Sequence, residues 1–117
     1  PALFGAFTGT CSIGNYDGTP VKVTADQATQ VQGILLTMNY VIETTVYAIA
    51  DGGDYHVAYV DVAAGFQGHG LCDTGDRWIS GFVRGEPVFA RSLHPNTSGQ
   101  QAYGTILADA LDWVLAG

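Results

Sequence analysis

Apolar residues recur at helical spacing in two stretches of the chain and at strand-like density in one. Ala28, Val31, Leu35, Met38, Ile42 and Ile49 fall three, four or seven residues apart. This is the pattern of a helix with one buried face. Thr24 with Gln27 three residues on reads as a capping box, Asp26 suits the positive end of the helix, and Gly52-Gly53 supply the stop. A second helix is predicted from near Thr97, where Gln100 again follows at three. Its stripe is Ala102, Tyr103, Ile106, Leu107, Ala110, Leu111 and Val114. Between the two, residues 55–62 (Tyr-His-Val-Ala-Tyr-Val-Asp-Val) are β-rich and apolar on both faces toward their end, as expected of a strand buried between helix layers.

The predicted order is loop, helix, strand, long Gly-rich loop, helix. One buried strand cannot satisfy its own backbone groups. Either residues 2–8 form a second strand, or polypeptide outside this chain completes the sheet. The second alternative is the expectation.

Composition narrows the function classes. The chain has 117 residues, too few for more than one domain, and a net charge of −7 with only Lys22, Arg77, Arg84 and Arg91 as fixed cations. Scattered singly, these give no footprint for a phosphate backbone, so nucleic acid is not an expected partner. The acidic balance also disfavours anionic membranes. No uninterrupted apolar run reaches the ~18 residues of a spanning helix, so no transmembrane segment is expected. The opening residues lack the basic start and long apolar stretch of a signal peptide. Mean hydropathy of +0.17 with 47% hydrophobic residues is that of a folding chain. A single Lys among many Gly, Thr and Tyr looks like an exported surface. Cys11 and Cys72 are accordingly expected to form a disulfide, two buried thiols being the alternative.

The informative segment for chemistry is residues 92–100, Ser-Leu-His-Pro-Asn-Thr-Ser-Gly-Gln. His94 precedes a capped helix, and Pro95 restricts it to extended backbone. An imidazole held on a defined loop can act as a general base, and a solvent-facing histidine at a helix start is the bland alternative. Ser-Leu-His-Pro-Asn-x-x-Gly-Gln-x-x-Tyr resembles the C-terminal block of the SGNH/GDSL hydrolases, in particular their secreted actinobacterial esterase and lipase branch. Three further segments agree in order: Pro1-Ala2-Leu3-Phe4; the helix with Met38-Asn39 and Ile42; and Tyr59-Val60-Asp61-Val62 followed by Phe66, Gly68-His69, Leu71-Cys72 and Trp78.

The resemblance implies that residues 1–117 are the C-terminal half of one SGNH hydrolase domain, an α/β protein. The implied fold is the C-terminal part of a three-layer α/β/α, flavodoxin-like architecture with a mostly parallel sheet, incomplete within this chain. It implies a serine ester hydrolase without cofactor or metal, secreted or in the cell envelope, acting on a small ester or lipid. His94 matches the family's catalytic histidine. Where the family usually has Asp three residues earlier, this chain has Arg91. Its backbone carbonyl is then the candidate orienter, with Asp73 and Asp76 as weaker substitutes. Trp78 and Phe82 are candidates for a substrate-binding wall.

The nucleophile block and the oxyanion block of the family are not found here. Ser12, Ser80, Ser92 and Ser98 read as loop or capping residues, so the serine is expected on a missing N-terminal half, in the same or a separate chain. Alone, the chain is expected to be inactive. His69 reads as a loop-locking hydrogen bonder, His56 as a strand residue under a helix, Asp61 as a structural acceptor and Gly104 as a site of close helix packing. Zinc-type spacing among His56, His69 and His94 is lacking. The alternatives to an ester hydrolase are a carbohydrate- or cell-wall-binding module stacking sugars on Tyr16, Tyr55, Trp78 and Phe82, and an SGNH-like pseudoenzyme.

Overall fold

Thr24 begins the longest element in the way its sequence dictates. In a computed structural model that describes residues 3–53, 57–82 and 92–116, the Thr24 hydroxyl accepts from the Gln27 amide (3.1 Å). The Gln27 side chain in turn accepts from the Thr24 amide (2.9 Å). This reciprocal pair satisfies two of the helix's free donors. Helix α1 runs over Ala25–Asp51, and the Gly52 amide closes it on the Ala48 carbonyl (3.2 Å). Preceding it is a hairpin, β1 (Thr10–Tyr16) antiparallel to β2 (Thr19–Thr24). One helical turn follows as α2 (Val62–Gly65), and α3 (Thr97–Ala116) ends the fold.

Asp17-Gly18 makes the hairpin. Both residues have positive φ (47° and 79°), as a type I′ turn requires, so the strands leave it with matching twist. The register pairs Cys11 with Val23 and Tyr16 with Thr19, with an irregularity between Ser12 and Asn15. Gly14 lies in that irregularity at φ 128° and bridges Phe82. A Cβ there would strike the Phe82 backbone, and any L side chain would be strained.

These observations correct the expected fold. The only sheet among the described residues is this two-stranded antiparallel hairpin, not part of a mostly parallel flavodoxin-like sheet. Among the described residues, parallel pairing is confined to two isolated bridges, Phe4 with Leu71 and Gly14 with Phe82. Residues 57–61 form no strand, and 62–65 are the helical turn α2, which Asp61 caps by accepting from the Ala64 amide (3.2 Å). Residues 54–56, with His56, lie outside the described residues. The physical reason is the one that makes a lone strand untenable: among the described residues the 57–62 segment has no neighbouring strand whose ladder it could join.

A small core lies at the junction of hairpin and loop. Phe4, Ile13, Val23, Ala28, Phe66, Leu71 and Ile79 are buried, and Leu71 is fully enclosed. Leu3 and Gly5 flank it by main-chain bonds, Leu71 N to Leu3 O (2.7 Å) and Gly5 N to Leu71 O (2.8 Å). Cys11 and Cys72 are joined as a disulfide, tying β1 to this loop. Both long helices reach well beyond the core. Of the stripe predicted on α1 only Ala28 is buried, while Val31, Met38, Ile42 and Ile49 are exposed. On α3, Tyr103, Leu107, Leu111 and Val114 are exposed as well. Gly104 meets no neighbour that a Cβ would touch, so the close packing expected there is absent.

Candidate functional site

The site is built on a turn pinned from both sides. The Leu93 amide donates to the Ser80 carbonyl (2.9 Å), the Ser80 amide to the His94 carbonyl (2.8 Å), and the Asn96 amide to the Trp78 carbonyl (2.8 Å). Ile79 and Pro95 form an antiparallel bridge between these bonds. Leu93 has φ 63°, a conformation a bulky residue holds only where its surroundings over-determine it. The three bonds supply that constraint and fix the backbone of His94.

Asn96 joins the turn to α3. Its Oδ1 accepts from the Gly99 amide (3.0 Å), and its Nδ2 donates to the Arg77 carbonyl (2.5 Å). The helix thus starts at Thr97, as the sequence predicts, but Asn96 is the residue that caps it. Gly99 is buried against the Trp78 carbonyl, so close that a Cβ would collide with it. The His94 side chain itself is exposed. None of the described residues hydrogen-bonds to its ring. Its expected orienter, the Arg91 carbonyl, lies outside the described residues. Asp73 is committed elsewhere, accepting from the Gly70 amide (2.8 Å).

His69 is held differently. Its Nδ1 is 2.8 Å from the Asp76 carbonyl, which can only accept, so Nδ1 carries the proton. Its ring lies parallel to Trp78 at 3.7 Å between centroids, and the Trp78 amide donates to the His69 carbonyl (2.9 Å). The loop-locking hydrogen bond expected of His69 is therefore formed. The stack was not visible in sequence, because the partners lie nine positions apart without a regular element between them. Trp78 also meets Phe66 edge-on at 5.3 Å. One face of the indole is thus covered by imidazole, which leaves a poor platform for a sugar. Phe82 is half-buried against the core, its amide bonded to the Ile13 carbonyl (2.7 Å). Tyr55, another proposed stacking residue, lies outside the described residues.

Two adjoining cavities flank the His94 turn. One, of about 350 Å³, is lined by Ile42, Tyr59, Val62 and Pro95 among others. The second, of about 430 Å³, is lined by Leu3, Leu35, Leu36 and Leu93. Both share Asn39, Ala63 and Ile79 as a common wall. The residues on either side of His94 therefore line two neighbouring apolar cavities, Pro95 the first and Leu93 the second. Burial of its phenol raises the pKa of Tyr59 above the usual range, and the nearby Asp61 carboxylate adds to this. Among the described residues no group of three or more His, Cys, Asp or Glu is placed to hold a metal. No protein-family model, curated protein or solved structure matches this chain.

Proposed function

We propose that this chain is the histidine-bearing portion of a secreted serine ester hydrolase of the SGNH type, with the nucleophilic serine on a separate stretch of polypeptide. The single observation that carries the reading is the placement of His94. Its imidazole is exposed, its backbone is fixed, and its sequence neighbours Leu93 and Pro95 line the two apolar cavities. A general base needs rigid support and one ring nitrogen open to the reacting group. The disulfide suits an exported protein. The four sequence segments that resemble those of the family support the same reading.

In the proposed reaction the His94 imidazole takes the proton from the serine hydroxyl as its oxygen attacks the ester carbonyl. The tetrahedral intermediate collapses, the C–O bond to the alcohol breaks, and His94 returns the proton to the departing oxygen. Water then attacks the acyl-serine and gives a proton to His94. Collapse releases the carboxylic acid, and the same proton restores the serine. A backbone carbonyl from Arg91 would hold the imidazole in the tautomer this cycle needs.

The test is His94→Ala in the assembled enzyme, with p-nitrophenyl acetate and longer acyl esters as substrates. The expected result is a loss of kcat of at least 10³-fold with unchanged circular dichroism. A rate near wild type would overturn the assignment.

A further inference from the structure

We infer that the cavity between the first turns of α1 and the loop carrying Asp73 is a binding site for one neutral sugar unit. The site stands apart from the His94 turn and owes nothing to the function proposed above: none of residues 92–96 lines it.

Its walls are held in place by the fold. The cavity measures about 510 Å³, within the range of ordinary small-molecule sites. Phe4 and Ala28, both buried, and the half-buried Phe7 give it an apolar wall. The Gly5 amide donates to the Leu71 carbonyl (2.8 Å), and the Cys11–Cys72 disulfide fastens the residue next to Asp73. Asp73 packs so closely on Gly5 that a Cβ there would strike its carboxylate. Gly5 thus admits a charged group to the wall that a larger residue would displace.

The polar atoms on these walls are oriented by bonds to the protein itself. A backbone amide can only donate, so the Gln32 atom 3.2 Å from the Phe4 amide is the side-chain oxygen, and Nε2 carries the remaining donors. The Asp73 Oδ2 accepts from the Gly70 amide (2.8 Å), and the carboxylate keeps further acceptor sites. The Thr29 hydroxyl donates to the Ala25 carbonyl (2.9 Å), which leaves its oxygen as an acceptor. Gln67, exposed, adds an amide able to do both.

This set of atoms selects the ligand. Among the described residues no Lys, Arg or His lines the cavity, and the Asp73 carboxylate repels anions, so phosphates and carboxylates are refused. An alkyl chain would strip water from Asp73 and Gln32 and give them no partner. A cation would suit the carboxylate and leave the Gln32 donors facing positive charge. A sugar hydroxyl both donates and accepts, so neighbouring hydroxyls of one ring can serve Asp73 and Gln32 together. The C–H face of such a ring suits the wall of Phe7 and Ala28. Apolar lining with a few placed polar groups is what small-molecule recognition requires.

The experiment is a titration of the 117-residue chain followed by its amide NMR signals. The probes are glucose, galactose and N-acetylglucosamine, their methyl glycosides as models of a glycan-linked unit, and glucuronate and glucosamine as charged controls. At least one neutral probe is expected to give saturable shifts at Gly5, Gln32, Gly68 and Gly70, with both charged controls about tenfold weaker or more. Binding of the free sugar or of its glycoside supports the site, and the tighter of the two identifies free sugar or glycan as the source. Asp73→Asn and Gln32→Glu each keep the acceptor for Gly70 or Phe4 while changing the atom offered to the ligand. Each should weaken binding about tenfold, with amide signals away from the cavity unchanged. No saturable shift with any neutral probe, equal or tighter binding of a charged control, shifts confined to other residues, or indifference to both variants would each overturn the site.

Discussion

At the scale of single residues, Asn96 does more than its sequence position announces. A Thr-x-x-Gln pattern starting at Thr97 pointed to a helix start, and the helix does begin there, but the capping oxygen belongs to the residue before it. The same side chain reaches back nineteen residues to the Arg77 carbonyl, a contact that no local pattern encodes. Asn96→Ala should therefore destabilise by about 1–2 kcal/mol, combining the lost cap with an unmet carbonyl. Asn96→Asp keeps the cap and loses the donor, so about half of that cost should remain. Urea titration of the two variants checks the order: equal costs would mean that the cap contributes nothing, and an Asn96→Asp variant as stable as wild type would mean that the tie to Arg77 contributes nothing. His94 was legible because Pro95 and the helix start surround it with local constraints. The pairing of His69 with Trp78 was not legible, since it depends on how a long irregular loop folds back.

Among the elements, the two long helices were read correctly in extent and α1 in its cap as well, because helical period and capping residues are local signals. Their burial was not, because burial depends on what lies opposite. The hairpin was the missed element. Its signal was present: Asp17-Gly18 between segments containing Ile13 on one side and Val21 and Val23 on the other, with Thr on both. The predicted strand at 55–62 illustrates the converse. Its β-rich composition is real, but a strand exists only with a partner, and among the described residues 57–61 have none. The disulfide fastens the hairpin to the loop carrying Leu71, across 61 residues of chain. In the chain-entropy account a closure of that length is worth about 4 kcal/mol. Cys11→Ala with Cys72→Ala should lower the unfolding free energy by up to about that amount. Hydrogen exchange should quicken in β1 and β2 more than in α1. Unchanged protection of the hairpin would show that the core, not the bond, holds it.

For the whole molecule, shape is the leading observation. The radius of gyration is 16.5 Å, against roughly 13 Å for a compact chain of this length. The principal extents of 52 × 27 × 27 Å show where the difference lies, in helices that outrun their core. Among the described residues, two helices expose apolar side chains beside one small buried cluster. That shape and an exposed histidine on a pinned turn accord with the proposed function, in which His94 acts on a serine carried by other polypeptide. The measurement that tests it most directly is denaturing mass spectrometry of the chain, together with any polypeptide that co-purifies with it, after exposure to a fluorophosphonate. The account predicts one covalent adduct on a serine of the co-purifying polypeptide, none on this chain, and loss of the adduct in His94→Ala. An adduct on Ser12, Ser80, Ser92 or Ser98, or no adduct in a complex that has formed, would contradict it.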